Sequence, residues 1–168
     1  MLPYLVKALN QLEKAGADFV VLPCNTLHSL LPEIKKESKL EVLDLIEEVS
    51  KRVRFLKLKT VGILSTTKTR EERLYDNALA GIRVLYPSIS GQEELSRIII
   101  RIIRKESTPE DKRFIDGLIS KLIKSGADKI ILACTDLANI IQPSDNILDS
   151  TQILIDTVKK RIKCPCQT

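Results

Sequence analysis

Two cysteines stand at equivalent points of a repeated segment and are the residues of this sequence best suited to chemistry. Residues 12–26 read LEKAGADFVVLPCNT, and residues 122–136 read LIKSGADKIILACTD, an offset of 110. In each copy a glycine precedes an apolar run, and Cys24 or Cys134 follows that run. The seven identical positions of the fifteen are Leu12/Leu122, Lys14/Lys124, Gly16/Gly126, Ala17/Ala127, Asp18/Asp128, Leu22/Leu132 and Cys24/Cys134. The repeat predicts two equivalent thiols at the carboxyl ends of two equivalent strands.

Two thiols that face one small molecule can invert a stereocentre. One thiol would remove a proton from a carbon atom as the base, and the other would return a proton to the opposite face as the acid. With each sulfur at a near-attack distance of ~3–3.5 Å, the two sulfurs would lie about 7 Å apart, too far for a disulfide bond. This reaction requires neither a metal nor a cofactor. The alternative for Cys24 and Cys134 is a structural role as small buried apolar residues, which is common for free cysteines.

Short polar residues near the thiols extend the prediction to substrate binding. Asn25, Thr26 and Thr135 follow the cysteines at the expected starts of helices. Free backbone N–H groups and small polar side chains at such starts can hold a carboxylate, and the same position favours the thiolate form of cysteine. Thr67 and Thr69 stand at the entrance to another predicted helix, where two roles stay open: contact with a substrate carboxylate, or capping of the helix.

Other residues of metal-binding type do not form a convincing site. His28 comes four residues after Cys24, so on a helix the two side chains would share a face. Two ligands do not make a zinc site, and a structural or substrate-adjacent role is favoured for His28. Cys164 and Cys166 form a CxC pair near the C-terminus, where a frayed tail is the default expectation. We therefore predict no metal site.

Short apolar strands alternate with helices along the chain, which is typical of an α/β protein with parallel sheets. The predicted strands are 19–22, 41–43, 60–64, 83–86, 129–132 and 146–148. The predicted helices are an opening helix that stops at Gly16, then 25–36 (bent or ended near Pro32), 45–55, 69–80, 92–104, 109–124, 137–141 and 151–162. Ligands of parallel sheets bind beyond the carboxyl ends of the strands, which is where both repeated cysteines fall.

The composition argues against several other classes of function. The chain has 168 residues, with 27 Lys and Arg against 22 Asp and Glu, and a net charge of +5. Acidic residues are interleaved with basic ones, Phe and Tyr number three each, and Trp is absent, so no nucleic-acid partner is predicted. No apolar run reaches the ~18 residues of a membrane span, and no apolar leader opens the chain. Four cysteines without such a leader favour a reducing, cytoplasmic setting.

The cysteine motifs and the segments around them resemble the aspartate/glutamate racemase superfamily. Residues 23–28 read PCNTLH and are similar to the family's first cysteine motif, PCNT-x-H, and residues 132–137 read LACTDL and are similar to the second, usually LGCTEL. Residues 61–69 resemble the strand and Thr-rich turn that open the second lobe, with Tyr75 in the following helix. Residues 149–151 resemble the closing DST element. The resemblance runs in order over nearly the whole chain.

The resemblance implies a fold of two pseudo-symmetric lobes with parallel sheets flanked by helices. It also implies cofactor-independent racemisation of a small acidic amino acid, aspartate first and glutamate second, often in a homodimer. Cys24 would exchange the α-proton on one face of the substrate and Cys134 on the other. The residues expected to contact the substrate are Asn25, Thr26, Thr67, Thr69 and Thr135.

The sequence also departs from the family pattern. Members usually begin with a Gly-rich strand–loop–helix unit before the helix that opens this chain. We therefore expect a truncated first lobe over residues 1–57, completed by 149–168, and a second lobe over 58–148. Ala133 and Asp136 replace the Gly and Glu of the second motif. Two alternatives stay open: a non-catalytic relative that binds a small anion or a partner protein, and an isomerase or decarboxylase of another small dicarboxylate.

Overall fold

The computed structural model describes residues 1–163 and confirms the predicted α/β class. The helices of this part of the chain are α1 (Leu2–Lys14), α2 (Leu31–Glu37), α3 (Leu45–Phe55), α4 (Thr67–Glu71), α5 (Leu74–Ala78), α6 (Ile89–Ile103), α7 (Pro109–Lys124) and α8 (Ser150–Lys163). The strands are β1 (Phe19–Val21), β2 (Glu41–Leu43), β3 (Thr60–Ser65), β4 (Arg83–Leu85), β5 (Lys129–Ala133) and β6 (Ile147–Asp149). Short 3₁₀ helices, Thr26–Leu30 and Thr135–Asn139, follow β1 and β5. Cys164 and Cys166 lie outside the described residues.

The strands pair in parallel and form two sheets within residues 1–163. β1 pairs with β2 in a small sheet, and the second sheet has the order β4–β3–β5–β6. In the second sheet β3 and β5 pair with Ser65 opposite Ala133. Because parallel strands end at the same edge of a sheet, the residues that follow these strands, Thr66 and Cys134, open onto one edge.

Helices cover both faces of the four-stranded sheet. Ile98 of α6 and Ile115 of α7 are fully buried in the core on one face. On the other face, Val53 of α3 and Leu154 of α8 pack in one core with Ile131 of β5. This second core therefore joins residues from both sides of the expected boundary between 57 and 58. The division into two lobes, and the truncation of the first, stay predictions.

The smaller sheet has its own apolar cluster. Leu9 of α1 and Ile34 of α2 are buried against Val20 of β1 and Val42 of β2. Within residues 1–163, β1 has a hydrogen-bonded neighbour on one side only. No helix of these residues is long and apolar enough to cross a bilayer.

Local capping signals place two helices at their predicted residues. Asp44 accepts hydrogen bonds from the backbone N–H groups of Ile46 and Glu47 and begins α3. Thr108 and Asp111 form a reciprocal capping box at the start of α7, whose first residue is Pro109. Both helices therefore have strong start signals in the sequence itself.

Three predicted helices differ from the structure. The helix predicted over 69–80 is two short helices, α4 and α5, separated at Arg73, whose backbone is left-handed with φ of +51°. The helix predicted over 25–36 is a 3₁₀ helix followed by α2, and the change falls near Pro32 as expected; Pro32 itself lies in the first turn of α2, where the N–H group that a proline lacks would have no partner. The helix predicted over 137–141 is the 3₁₀ helix that begins directly after Cys134.

Candidate active site

The turn that follows β1 meets the turn that follows β3 beside the end of β5. Cys24 lies three residues after β1, and Cys134 follows β5 directly. Thr26 Oγ1 lies 2.9 Å from Thr66 Oγ1, at the end of β3. Because β3 and β5 are paired up to their last residues, this contact places the Cys24 turn at the same sheet edge as Cys134. The two predicted thiol turns are thus brought together.

Three threonine hydroxyls form a closed triangle of hydrogen bonds between the Cys24 turn and α4. The Oγ1 distances are 2.9 Å between Thr26 and Thr66, 3.1 Å between Thr26 and Thr69, and 3.0 Å between Thr66 and Thr69. A hydroxyl donates one proton and can accept at two lone pairs. The triangle can therefore turn a proton towards a bound carboxylate while its oxygen atoms stay in place.

Thr66, rather than Thr67 or Thr69, caps the helix in this region. Thr66 caps α4 by accepting the backbone N–H of Thr69 at 3.3 Å, so the capping alternative for Thr67 and Thr69 is wrong. Thr67 lies outside the triangle, with its hydroxyl 2.7 Å from Ser96 Oγ on α6. The signal for Thr66 was its place directly before the first helical residue, which is where a threonine caps.

Asn25 is only 2% exposed, and its side chain bonds inside the protein. The Tyr75 hydroxyl donates to Asn25 Oδ1 at 2.6 Å, and Asn25 Nδ2 donates to Ser150 Oγ at 3.1 Å. Ser150 in turn donates to the carbonyl oxygen of Leu132 at 2.7 Å. The contact of Asn25 with a substrate carboxylate stays a prediction.

His28 is buried and joins the Cys24 turn to the start of α3. The Leu45 N–H donates to Nε2 at 3.0 Å, so Nδ1 must carry the proton and donate it to the Cys24 carbonyl at 2.9 Å. Burial lowers the pKa of His28, although the Cys24 carbonyl and the Asp44 carboxylate oppose this shift. The ring is therefore neutral at neutral pH, and it fixes the backbone beside the first thiol.

The second thiol is held in its protonated form. Cys134 is 7% exposed, and its Sγ lies 3.7 Å from Oδ2 of Asp136. Burial raises the pKa of Cys134 to about 11; the backbone at Asp136 opposes this shift, whereas the Asp136 carboxylate and the Cys24 thiol add to it. The thiolate expected from a helix start is therefore wrong for Cys134. The following 3₁₀ helix has five residues, too few for its dipole to offset the burial.

Two further polar groups lie at this edge. Thr135 is half-buried, and within residues 1–163 its hydroxyl makes no hydrogen bond. Gln92 of α6 is 4% exposed and donates through Nε2 to the Ser65 carbonyl at 2.9 Å, while its Oε1 has no partner among the described residues. Ser65 is the last residue of β3 and lies opposite Ala133, the last residue of β5.

The site thus combines two thiols with a triangle of hydroxyls, which are groups for proton transfer and for binding a carboxylate. Within residues 1–163, no group of three or more His, Cys, Asp and Glu side chains is arranged to hold a metal ion.

Comparison with known proteins gives a family match over almost the entire described chain. The family model described as Asp/Glu/Hydantoin racemase matches residues 2–162. The chain is 32% identical over 155 residues to the broad specificity amino-acid racemase RacX of Bacillus subtilis (strain 168), covering 86% of this chain and 64% of that protein. It is 26% identical over 157 residues to glutamate racemase 3 of Caldanaerobacter subterraneus subsp. tengcongensis, covering 92% of this chain and 56% of that protein. The chain thus spans less than two thirds of the length of either relative.

Solved structures show the same fold. The aspartate racemase of Picrophilus torridus superposes with a TM-score of 0.82 at 22% identity, covering 96% of this chain and 69% of that one. An aspartate racemase homologue from Pyrococcus horikoshii superposes with a TM-score of 0.81 at 24% identity, covering 96% and 74%. At these identities the likeness concerns the fold alone.

Proposed function

The chain belongs to the Asp/Glu/Hydantoin racemase family, and from this premise we propose that it racemises an acidic amino acid by moving the α-proton between Cys24 and Cys134. The observation that carries the proposal is the meeting of the two thiol turns at one sheet edge, with the hydroxyl triangle joining the Cys24 turn to the end of β3. Aspartate is the first candidate substrate and glutamate the second. The reaction as proposed uses no cofactor.

In the proposed reaction one sulfur acts as base and the other as acid. A thiolate takes the α-proton from one face, the electron pair of the broken C–H bond stays on the α-carbon, and the other thiol gives its proton to the opposite face. The two cysteines exchange protonation states in each turnover, and the opposite enantiomer uses them in reverse. The raised pKa of Cys134 favours its protonated form, which is the form that the proton donor needs.

The polar groups around the thiols would bind the rest of the substrate. The hydroxyls of Thr26, Thr66 and Thr69 supply donors for carboxylate oxygens, and Thr135 adds a free hydroxyl beside Cys134. Hydrogen bonds to the carboxylate would help to hold the α-carbon between the sulfurs.

Proton exchange in D₂O tests the proposal at its first chemical step. We expect the α-proton NMR signal of L-aspartate or L-glutamate to disappear when the full chain is added, and the D-enantiomer to accumulate on a chiral column. Replacing either thiol, Cys24→Ala or Cys134→Ala, should lower the exchange rate by about 10³-fold or more. Cys164→Ser is the matched control and should leave the rate unchanged.

Two results would contradict the proposal. A folded sample that exchanges neither acid, nor any of a panel of neutral amino acids, is not an amino-acid racemase. Full activity in one of the two alanine variants would exclude the two-thiol mechanism. The panel is included because the relative RacX is named for broad specificity.

We propose that the protein acts as a homodimer in the cytoplasm, where thiols stay reduced. Sedimentation velocity checks the assembly: a dimer would have twice the 18.9 kDa mass of the chain. A species of 18.9 kDa that is fully active would contradict the proposed dimer.

A further inference from the structure

We propose that a buried relay of three side chains, Tyr75, Asn25 and Ser150, sets the separation of the two thiols. In this view Asn25 is a positioning residue, whatever its backbone contributes to binding. The relay joins the residue after Cys24 to the carbonyl of Leu132, two residues before Cys134. The kinetic consequence of this inference rests on the proposed function, but its geometric consequence does not.

The direction of every hydrogen bond in the relay is determined. The Leu132 carbonyl can only accept, so the single proton of Ser150 is directed to it. Ser150 Oγ must then accept from Asn25, which identifies the atom 3.1 Å away as Nδ2. Asn25 Oδ1 is left to accept the Tyr75 proton at 2.6 Å. The relay therefore has one arrangement of protons, and no member can rotate without breaking a bond.

Burial makes these bonds costly to break. Tyr75 and Ser150 have no exposed surface, and Asn25 is 2% exposed. Burial also raises the pKa of Tyr75 far above its ordinary value, so its hydroxyl remains a donor. A buried polar group that loses its partner costs more than the bond contributed, because no water replaces it. The Cys24 turn is thus held against the end of β5 by hydrogen bonds that water cannot replace.

The relay links two parts of the protein that no strand pairing connects. Asn25 and Ser150 are 125 residues apart, and β1 and β5 belong to different sheets. The distance between the two cysteine turns is therefore not fixed by backbone pairing. The relay is the buried side-chain link from the Cys24 turn to β5, whereas the threonine triangle links that turn to the end of β3.

Chemical cross-linking tests the geometry without reference to catalysis. A short bis-alkylating thiol reagent is applied at pH ~10, where the Cys134 thiolate is available in spite of its raised pKa. Peptide mass spectrometry then reports how often Cys24 and Cys134 are joined in one protein. We expect a cross-linked peptide in the wild type and a several-fold lower yield in Ser150→Ala. Ser50→Ala is the matched control, because the Ser50 hydroxyl also donates to a backbone carbonyl, that of Ala78 at 2.8 Å.

Tyrosine variants give a second test with a milder change. Tyr75→Phe removes the proton that Asn25 accepts, and Tyr86→Phe removes a comparable bond, 2.7 Å to Asp76 Oδ2, that is not part of the relay. We expect Tyr75→Phe to lower kcat by about 10- to 100-fold with little change in KM, because a misplaced thiol affects proton transfer more than binding. Tyr86→Phe should retain wild-type kcat. Thermal melting of all four variants shows that each is folded.

The outcomes separate this inference from the proposed function. Equal cross-linking in wild type, Ser150→Ala and Ser50→Ala would overturn the relay, as would a wild type whose thiols cannot be joined. An equal loss of kcat in both tyrosine variants would assign Tyr75 to general stability alone. If the wild type racemises nothing but its cross-linking depends on Ser150, the proposed function fails and the relay stands.

Discussion

The two copies of the repeated segment share one backbone design but lie in different surroundings. Each copy ends its helix at a glycine with positive φ, +81° at Gly16 and +95° at Gly126. In each copy, the N–H group of the residue after the glycine donates a hydrogen bond of 3.1 Å to the carbonyl five residues earlier. The copies diverge after the turn, because β5 lies between two strands and β1 has one neighbour among the described residues.

This difference in surroundings changes the chemistry of the two thiols. Cys24 is half-buried, and its carbonyl is held by the neutral ring of His28. Cys134 is buried beside Asp136, and Ala138 stands at the position equivalent to His28. Equivalent sequence positions have therefore come to lie in different environments, and burial raises the pKa of the Cys134 thiol.

Hydrogen exchange of the backbone amides should reveal the largest difference between the copies. We expect the amides of β5 to exchange about 100-fold or more slowly than those of β1, because opening β5 disrupts two strand pairings and two buried cores. The measurement is native-state exchange followed by NMR or by mass spectrometry of short peptides. Equal protection of β1 and β5 would contradict the comparison and would mean that another chain segment or a second copy covers β1.

The pH dependence of alkylation should reveal the second difference. At pH 8 a thiol with a pKa of about 11 is ~0.1% thiolate, whereas an ordinary free cysteine with a pKa of ~8.5 is about one quarter thiolate. Iodoacetamide should therefore label Cys134 more than about 100-fold more slowly than a cysteine in an unfolded peptide. The labelling rate should still rise about tenfold per pH unit between pH 8 and 10.

The slope of this profile separates a raised pKa from simple lack of access. Limited access lowers the rate equally at every pH, so its profile would level off above pH ~9 as for an ordinary thiol. Asp136→Asn sharpens the test, because removal of the neighbouring carboxylate should shift the Cys134 profile towards lower pH. A profile that levels off near pH 9 would contradict a protonated resting Cys134.

Local sequence signals were sufficient for most of the fold. Strands β2 and β5 and helices α3 and α7 follow from apolar periodicity and from capping residues close in the chain. The glycine turns of the repeat follow for the same reason, since the residue and its left-handed conformation are local properties. The two thiols could be located because strand and cysteine are adjacent in the sequence.

The environment of the site could not be predicted in the same way. The partners of Asn25 are Tyr75 and Ser150, which come from α5 and α8 and reach it only through tertiary packing. The raised pKa of Cys134 depends on burial, which no short motif encodes. No glycine or proline in the sequence indicates the break between α4 and α5 at Arg73. Long-range contacts, rather than propensity, decide these features.

Two aspartates at equivalent positions of the repeat test the comparison between the copies through a small difference in stability. Oδ2 of Asp128 accepts the backbone N–H groups of Lys59 and Thr60, at 2.8 and 2.9 Å, and so ties the start of β5 to the start of β3. Its equivalent, Asp18, makes no side-chain hydrogen bond within residues 1–163, because no strand lies on that side of β1 there. We expect Asp128→Ala to lower the free energy of unfolding by about 1 kcal/mol, and Asp18→Ala to change it by less than about 0.5 kcal/mol.

The pH dependence of the same pair shows whether the carboxylate itself is responsible. The two backbone N–H groups lower the pKa of Asp128, so its contribution is fully present above the unfolded value of about 4 and is lost as the pH falls through the lowered pKa. In urea titrations the difference between wild type and Asp128→Ala should therefore shrink between pH 5 and acid pH, while Asp18→Ala follows the wild type throughout. An Asp18→Ala variant as destabilised as Asp128→Ala would show that β1 has a strand partner in solution, and the two copies would then have equivalent sheet surroundings.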